Sequence, residues 1–390
     1  MPKRNNSRKV LFSAAFILTA VLLCVPLILH TAAQEKGTVS VNAPSISAHS
    51  AILIEASTGE IIWSRNADEK RHMASTTKIM TALVAIENCD VTKTVTISPD
   101  AVGIEGSSVY LYEGEKLTME DLLYAMLLES ANDAAAAIAI EVGGSIEGFA
   151  EMMNQKAQRL GLENSHFENP HGLDHPEHYT TAEELAKIAS VAMKNEVFRS
   201  IVSTYKKTIP LNETEGVRLL INHNKLLKSY DGCIGIKTGF TKKSGRCLVS
   251  AALRDGVELI CVTLDAPDDW QDHSRLFDYG FSLYESRLLC STGEYKRAQS
   301  IVGGKEPYVI LTNVEEARVV LQKNVGTVES YVELPRFSYA PVSKGDVVGR
   351  IVFTSDGKEI AEVPIVASYT VERMIYKRSL WDWILSLFGR

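Results

Sequence analysis

The chain has 390 residues, of which 45% are hydrophobic and 23% are charged, a composition typical of globular proteins. Its formal net charge is −7, and the four basic residues within 1–33 leave the rest of the chain at −11. An acidic body argues against binding of nucleic acid and against broad electrostatic adhesion to anionic lipid. The length suffices for one large domain and a smaller one.

The first 33 residues have the pattern of an export signal. Basic residues precede an uncharged apolar run from Val10 to Leu29, and the small residues Thr31 and Ala33 follow it. This pattern predicts a signal peptide, residues 1–33, that is cleaved after Ala33. The apolar run is also long enough for an uncleaved anchor, and both alternatives place the body outside the cytoplasm.

Residues 34–48 are predicted to be a polar lead-in segment, and a mixed domain is predicted over 49–289. Its first element is a hairpin, because the apolar runs "AILIEAS" and "EIIWSR" flank the turn dipeptide Thr58-Gly59. A helix is predicted from about Ser75, since apolar residues then recur at helical spacing.

More helices and then strands follow in the same region. Capping signals at Thr118 and Thr181 predict two helices, and an Ala-rich helix follows the tripeptide "SAN". From Gly232 the runs "CIGIKTG", "RCLVSAAL" and "ELICVTL" predict an antiparallel meander, and "SRLFDYGFSLYE" predicts a closing helix. Helices that flank an antiparallel sheet indicate the α/β (α+β) class of fold.

The residue pattern changes from helical to strand-like after about Cys290. Short Val- and Ile-rich runs alternate with Gly, Pro, Asn and Asp, which predicts a small β-rich domain over 290–370 with a spacer or partner-binding role. The last segment, 371–390, predicts an amphipathic helix with Trp381 and Phe388 on its apolar face. It is too short and too polar to span a bilayer, so we expect it to lie at a membrane surface, with packing on the β-rich domain as the alternative.

Six cysteines occur, and their spacings fit neither a disulfide framework nor a metal site. Buried free thiols are therefore expected. No metal ion or organic cofactor is implied by the sequence.

Ser75 and Lys78 form a Ser-x-x-Lys pair at the predicted helix start. Residues at i and i+3 share a helix face, so the Lys78 amine can reach the Ser75 hydroxyl and act as its base if burial and a nearby cation keep it neutral. A helix start also leaves backbone N–H groups free, and that of Ser75 can bind an oxyanion. The same spacing recurs at Ser203 and Ser355, so the pair alone decides nothing.

Two further motifs carry polar groups suited to a substrate. Ser130 and Asn132 form Ser-x-Asn between two predicted helices, where a hydroxyl and an amide can point into a cleft. The tripeptide Lys237-Thr238-Gly239 occurs once, on a predicted strand, and offers a cation, a hydroxyl and room for a substrate backbone. Each motif alone is equally compatible with a polar loop or an ordinary strand end.

The order of the three motifs singles out Ser75. Ser203 is followed by no Ser-x-Asn before the Lys-Thr-Gly, and Ser355 lies after it. The ordered set resembles that of class A β-lactamases and penicillin-binding proteins, with alanine in place of the middle aspartate. Over roughly 51–285, the stretches "ASTTKIMTAL", "LLESANDAA", "NPHGLDHPEHYTTAEELAKIA" and "GIKTGFTKKSGRCLVSAA" resemble the low-molecular-mass penicillin-binding proteins that are D-alanyl-D-alanine carboxypeptidases.

This resemblance implies a domain like that of serine β-lactamases and DD-peptidases, and it implies catalytic roles. Ser75 would attack the carbonyl between two terminal D-alanines of a peptidoglycan stem peptide and form an acyl-enzyme. Lys78 would take its proton, and Ser130 would relay a proton to the leaving D-alanine. The substrate-binding residues that it implies are Asn132, Lys237, Thr238, Gly239 and Phe240.

The resemblance also implies what each substrate-binding group contacts. Asn132 would bind an amide of the substrate, and Lys237 with Thr238 would bind the terminal carboxylate. The oxyanion would lie between the N–H groups of Ser75 and Phe240. A β-lactam would mimic the dipeptide and acylate the same serine, and the enzyme would act at the outer face of the cytoplasmic membrane as a peripheral protein.

Other functions stay open on the sequence alone. A class A β-lactamase needs a glutamate in a Glu-x-x-x-Asn segment for deacylation, and "FENPHGLDH" offers no convincing counterpart. A transpeptidase or endopeptidase would use the same residues with a different acceptor. An inactive peptidoglycan-binding protein is disfavoured because the whole set of motif residues is present. His171 and Glu129 are expected to be structural.

Overall fold

The computed structural model describes residues 43–211 and 216–375 of the chain. The predicted signal peptide, 1–33, lies outside the described residues, and so do residues 376–390 of the predicted terminal helix. The prediction of a helix from residue 371 is wrong for residues 371–375, because backbone pairing holds this stretch extended: Val371 and Arg373 form β-bridges with Val342 and Gly304. Within the two described ranges, no helix has both the length and the apolar character needed to cross a bilayer.

The N-terminal part contains nine strands and eight α-helices within its described residues. The strands are β1 (Ser50–Glu55), β2 (Ile61–Arg65), β3 (Thr94–Thr96), β4 (Lys116–Thr118), β5 (Lys206–Pro210), β6 (Val217–Ile221), β7 (Cys233–Thr241), β8 (Gly245–Arg254) and β9 (Val257–Leu264). The α-helices are α1 (Lys78–Asn88), α2 (Met119–Leu128), α3 (Asn132–Gly143), α4 (Ile146–Arg159), α5 (Ala182–Met193), α6 (Glu196–Ser203), α7 (Leu226–Ser229) and α8 (Asp269–Leu283). Two 3-10 helices, Ala74–Thr77 and Pro99–Ala101, complete it.

A five-stranded antiparallel sheet in the order β2-β1-β9-β8-β7 forms the centre of this part. The first hairpin of the chain thus pairs with its late meander, and helices α1 to α7 lie between them in sequence. One apolar cluster packs helices α1 to α6 against one face of the sheet, and a second cluster packs α8 against the other. All six residues of β1 are buried, as expected for a strand covered on both faces.

Several predicted elements are confirmed. β1 and β2 form the expected hairpin around Thr58, and β7, β8 and β9 form the expected antiparallel meander. Thr118 begins α2 with a capping box that includes Asp121. Thr181 begins α5 by accepting a hydrogen bond from the N–H of Glu184. These signals are local, so the sequence alone located them.

The helix predicted from about Ser75 begins differently. Ser75 lies in the 3-10 helix Ala74–Thr77, and α1 begins at Lys78. The hydroxyl of Thr76 donates to the Met73 carbonyl at 2.6 Å, and that of Thr77 donates to the Ala74 carbonyl at 2.8 Å. These bonds between residues three positions apart close a tight first turn.

The β-rich part follows as strands β10 (Tyr284–Cys290), β11 (Lys296–Val302), β12 (Tyr308–Asn313), β13 (Ala317–Gln322), β14 (Val328–Glu333), β15 (Ser338–Tyr339), β16 (Val347–Ser355) and β17 (Lys358–Ala367). Six of them form a sheet in the order β14-β16-β17-β12-β11-β15, and β10 pairs with β13. The boundary predicted between residues 289 and 290 therefore falls inside β10. A core made largely of Val, Ile and Leu fills this part.

The five cysteines of the described residues are free thiols: Cys89, Cys233, Cys247, Cys261 and Cys290. Burial raises the pKa of Cys247 to about 11, so this thiol stays protonated and packs as a small apolar group. All five thiols are free, as expected, but burial holds only for Cys247, Cys261 and Cys290, because Cys89 and Cys233 are half-buried.

Candidate active site

A cleft of about 360 Å³ brings together residues that are far apart in sequence. Ser75, Ser130, Thr238, Gly239 and Phe240 all line it. They come from the first 3-10 helix, from the connection between α2 and α3, and from strand β7. Three short motifs that the sequence suggested separately thus share one site.

Cavity size alone does not identify this cleft. A larger cavity of about 580 Å³ is lined by Glu60 and Gly256 together with Arg318 and Glu359 of the β-rich part. None of the sequence-predicted site residues lines that cavity. The chemistry of the lining residues, rather than the volume, distinguishes the site.

The amine of Lys78 lies at the centre of a hydrogen-bond cluster. Its Nζ is 2.9 Å from Oγ of Ser75, 2.7 Å from Oδ1 of Asn132 and 2.6 Å from the carbonyl oxygen of His171. The Lys78 side chain is fully buried. The predicted proximity of Lys78 to Ser75 is therefore present in the fold.

Burial controls the charge of both lysines of the site. Burial, and after it the positive charge of Lys237, holds the pKa of Lys78 well below its ordinary value, and Asp133 partly opposes this shift. Burial also lowers the pKa of Lys237 to about 7, with partial opposition from Glu129. The sequence suggested that Lys237 offers a cation, and in the fold a nearby anion would favour this charged form, since burial disfavours it.

The Ser-x-Asn motif lies where the chain turns from α2 into α3. Ser130 adopts a left-handed backbone conformation with φ of 61°, uncommon for a residue other than glycine. The side-chain amide of Asn132 donates to the carbonyl of Glu105, while its oxygen accepts from Lys78. Asn132 keeps one N–H and one lone pair beyond these bonds, so binding of a substrate amide stays a prediction.

Gly239 lets strand β7 approach the helix that carries Ser75. A Cβ atom at Gly239 would lie 3.1 Å from the carbonyl oxygen of Met73 and equally close to the backbone nitrogens of Ser75 and Thr76. The sequence interpretation expected room for substrate beside this glycine, whereas the protein's own backbone occupies that side. The next residue, Phe240, is largely exposed at the cleft.

The segment "NPHGLD" contributes an atom that sequence reasoning missed. The backbone carbonyl of His171 accepts a hydrogen bond from Lys78, and the glycine that follows packs tightly: a Cβ at Gly172, with φ of 87°, would lie 2.0 Å from the Ala74 carbonyl oxygen. Burial and the charge of Lys78 lower the pKa of the His171 ring to about 3. No residue-type pattern identifies a carbonyl group, and the glycine was the signal that could have indicated close packing here.

His178 supports the turn before the serine. The Glu168 N–H donates to Nδ1 of His178 at 3.1 Å, so the other ring nitrogen, Nε2, carries the proton and donates to the Thr77 hydroxyl at 2.7 Å. That hydroxyl in turn donates to the carbonyl of Ala74, whose φ is 48°. A chain of hydrogen bonds thus reaches the strained residue immediately before Ser75.

Two carboxylates beside the Ser-x-Asn motif hold neighbouring segments in place. Glu129 accepts from the N–H of Ile221 at 2.6 Å, which joins the end of α2 to the hairpin β5–β6. Buried Asp133 accepts from the Ser108 hydroxyl at 2.6 Å and from the Leu111 N–H at 3.0 Å. Glu129 thus makes a structural contact, as the sequence suggested, and its charge also opposes the lowering of the Lys237 pKa.

Comparison with protein families agrees with this geometry. Residues 37–268 match the family model described as D-alanyl-D-alanine carboxypeptidase. The chain belongs to this family. Residues 284–373 match a second model, the C-terminal domain of penicillin-binding protein 5. The resemblance seen in the sequence over roughly 51–285 is thereby confirmed, and the second match covers the β-rich part of this D-alanyl-D-alanine carboxypeptidase family member.

Individual relatives cover between 62% and 86% of this chain. The D-alanyl-D-alanine carboxypeptidase DacF of Bacillus subtilis is 33% identical over 86% of this chain and 90% of its own length. The structure of penicillin binding protein 5 from Haemophilus influenzae covers 85% of this chain and 100% of its own, with 28% identity and a TM-score of 0.64. The Streptomyces K15 DD-transpeptidase covers 62% of this chain and 100% of its own, with 36% identity and a TM-score of 0.60. The predicted class of fold is confirmed by these structures.

Proposed function

We propose that the protein is a serine D-Ala-D-Ala carboxypeptidase that removes the terminal D-alanine from peptidoglycan stem pentapeptides through an acyl-enzyme on Ser75. The observation that carries the proposal is the 2.9 Å separation between Nζ of Lys78 and Oγ of Ser75. The family of the chain supports the substrate class.

The surroundings of Lys78 favour its action as a base. A neutral amine has two N–H groups and one lone pair, and the oxygens of Asn132 and His171 can only accept hydrogen bonds. With both N–H groups used by these oxygens, the lone pair is left for the hydroxyl proton of Ser75. The depressed pKa of Lys78 keeps the amine in this neutral form.

The remaining residues act on the substrate. Lys237 and Thr238 bind the terminal carboxylate, and the anion in turn favours the protonated form of Lys237, whose pKa is otherwise about 7. The N–H groups of Ser75 and Phe240 bind the oxyanion. That of Ser75 is suited to this role because the first turn of a helix leaves its N–H groups without partners inside the helix, and Phe240 lies on strand β7 at the same cleft. Asn132 orients the peptide through the side-chain N–H and the oxygen lone pair that its bonds to Glu105 and Lys78 leave free.

The reaction then proceeds in two halves. Ser75 transfers its proton to Lys78 as Oγ bonds to the carbonyl carbon. The C–N bond to the last D-alanine breaks when Ser130 passes that proton from Lys78 to the leaving amine, which leaves Lys78 neutral again. Water attacks the resulting ester, regenerates the Ser75 hydroxyl and releases the shortened peptide. A β-lactam follows the first half and traps Ser75 as a stable ester.

We further propose the cellular setting and the division of the chain. Residues 1–33 direct export, and the amphipathic segment within 371–390 attaches the protein to the outer face of the cytoplasmic membrane. Strand β10, which begins at Tyr284 and pairs with β13, is the point at which the catalytic part passes into the β-rich part.

The test is release of D-alanine from a stem pentapeptide that ends in D-Ala-D-Ala. The wild type should release D-alanine and bind penicillin covalently, and Ser75→Ala should lose both activities. Ser203→Ala is the matched control because Ser203 has the same Ser-x-x-Lys spacing but lies outside the cleft. Penicillin binding without any release of D-alanine would exclude the carboxypeptidase and favour a transpeptidase, and rapid penicillin hydrolysis would favour a β-lactamase.

A further inference from the structure

An apolar surface lies at one end of the β-rich part, and we refer to its five residues as the exit surface. They are Val302 (46% exposed), Phe337 (43%), Tyr339 (69%), Met374 (41%) and Ile375 (80%). Large apolar side chains exposed together on a soluble fold mark a contact with another molecule or with lipid.

Strand pairing places three of these side chains next to one another. Val302 of β11 is the register partner of Tyr339 of β15, and the N–H of Ala340 donates to the Val302 carbonyl at 3.0 Å. Phe337 and Tyr339 lie two residues apart, and their rings meet edge to face with centroids 5.3 Å apart. The aromatic pair therefore forms one continuous apolar face at the edge of the sheet.

The described chain ends at this same surface. The N–H of Met374 donates to the Gly303 carbonyl at 2.8 Å, and Arg373 pairs with Gly304 in a β-bridge. Gly303 directly follows Val302, so residues 373–375 lie beside the apolar face. The fifteen residues that follow include "LWDWILSLF", the segment predicted to lie in a membrane interface.

We propose that the exit surface itself contacts the lipid bilayer, so that the β-rich part lies against the membrane rather than at the end of a loose tether. The inference rests on the proposed attachment through residues 376–390. Tyrosine combines an apolar ring with a polar hydroxyl, which suits the boundary between lipid headgroups and acyl chains. The exposed Arg336 and Arg373 adjoin the surface and can contact anionic headgroups.

The position of the exit surface beside the end of the described chain favours lipid as its partner. A segment anchored in the interface from residue 376 onward would hold Met374 and Ile375 at the headgroup level. Val302 and the aromatic pair would then be at high effective concentration relative to the same bilayer, so that even a weak contact would form. A surface on the far side of the sheet would gain nothing from the anchor.

The decisive variant is Phe337→Ser combined with Tyr339→Ser. We would measure co-sedimentation of the exported protein with vesicles of phosphatidylglycerol and phosphatidylethanolamine, after checking that residues 1–33 are absent. The double variant should lower the lipid partition coefficient by about tenfold or more, because two aromatic side chains lose their contact with the interface. The matched control is Tyr331→Ser, an exposed aromatic residue on strand β14 at the opposite edge of the sheet, and it should bind like the wild type.

Two further measurements distinguish a failure of the proposed lipid contact from a failure of the proposed activity. Hydrogen exchange at residues 336–340 should slow when vesicles are added to the wild type. The proposal is overturned if the double variant partitions like the wild type, or if deletion of 376–390 speeds exchange at 336–340 without vesicles, because the chain's own end would then cover the surface. Release of D-alanine from a soluble pentapeptide should be unchanged in the double variant, so a failure of the proposed activity would be seen independently.

Discussion

The catalytic part, residues 43–283, buries a set of acidic, basic and histidine side chains, whereas the described residues of the β-rich part bury none. Within the described residues, the buried acidic, basic and histidine side chains are Glu55, Lys78, Glu115, Asp133, His171, His178, Lys237, Asp269, Asp272 and His273. All of them precede the β-rich part. Between residues 296 and 375 the buried polar side chains are the uncharged Gln299, Asn313 and Ser355.

Burying a charged or titratable side chain lowers stability unless hydrogen-bond partners compensate for its lost hydration, and the two parts differ in whether they provide such partners. An ion or a titratable group in the interior is stable only with hydrogen-bond partners, and the catalytic part supplies them. Asp272, for example, accepts from the backbone N–H groups of Ser47 and Ala48 at 2.9 Å. In the β-rich part, Arg350 instead meets Glu333 at 2.7 Å in an exposed pair. The stability of the catalytic part therefore depends on protonation states as well as on apolar packing, whereas that of the β-rich part depends mainly on apolar packing.

Among the predicted changes, replacing the buried Lys78 should have the largest effect on activity. Lys78→Met keeps the length of the side chain but removes the base, so the rate of acylation by a fluorescent penicillin should fall by about 10²–10⁴-fold. Lys358→Met is the matched control, because Lys358 is exposed and follows Ser355 at the same spacing. Acylation by Lys78→Met at more than a tenth of the wild-type rate would contradict the proposed role.

Mild acid should destabilise the catalytic part selectively. Burial lowers the pKa of His171, His178 and His273 to about 3, so the unfolded chain takes up these protons as the pH falls through about 6.5 while the folded chain does not. The contribution of these three histidines to stability is therefore fully present above this pH and is lost below it, by about 4 kcal/mol for the three groups together at about pH 5.5.

The contrast between the two parts provides the control for the acid experiment. The sequence has no histidine after His273, so the β-rich part lacks this source of acid sensitivity. Hydrogen exchange followed by mass spectrometry at pH 7.5 and pH 5.5, corrected for intrinsic rates, should show loss of protection within 43–283 and retention within 296–375. Equal loss in both ranges would contradict the expectation.

Breaking one buried and one exposed ion pair sharpens the comparison. Glu115 is fully buried against Arg218, which also donates to the Val109 carbonyl at 2.8 Å. Glu115→Gln leaves the Arg218 charge without its counterion and should lower the free energy of unfolding by about 3 kcal/mol. Glu362→Gln removes a partner of Arg350 at the surface and should leave the melting temperature unchanged within error. Similar losses in both variants, measured by thermal and urea unfolding, would show that burial does not decide the outcome.

The smallest expected effect concerns the support of the turn before Ser75. His178→Phe removes the hydrogen bond to Thr77 and should slow penicillin acylation by about tenfold. His178→Gln should recover part of the rate, because its side-chain amide can still donate to that hydroxyl. His175→Phe, in the same loop but exposed, is the control. A purely structural role would lower the melting temperature of His178→Phe without a rescue of the rate by glutamine.

Local signals located much of the fold and most of the site. The capping box at Thr118, the hairpin at Thr58 and the three antiparallel strands all follow from spacing within a few residues. The site motifs were equally readable because each is a short string: Ser75 with Lys78, a serine two positions before an asparagine, and one Lys-Thr-Gly. The hairpin β5–β6 was missed because its strands mix exposed apolar residues such as Val217 with charged ones.

The sequence by itself determined which residue types were available, their order along the chain and the periodicity of the main elements. Tertiary structure alone decided the partners of those residues. In the fold, the His171 carbonyl accepts a hydrogen bond from Lys78, and Gly239 lets β7 approach the turn that contains Ser75. Burial of Lys237 lowers its pKa to about 7. The physical reason is that hydrogen bonding to backbone, close approach and desolvation depend on atoms brought together from distant segments, and spacing along one segment carries no record of them.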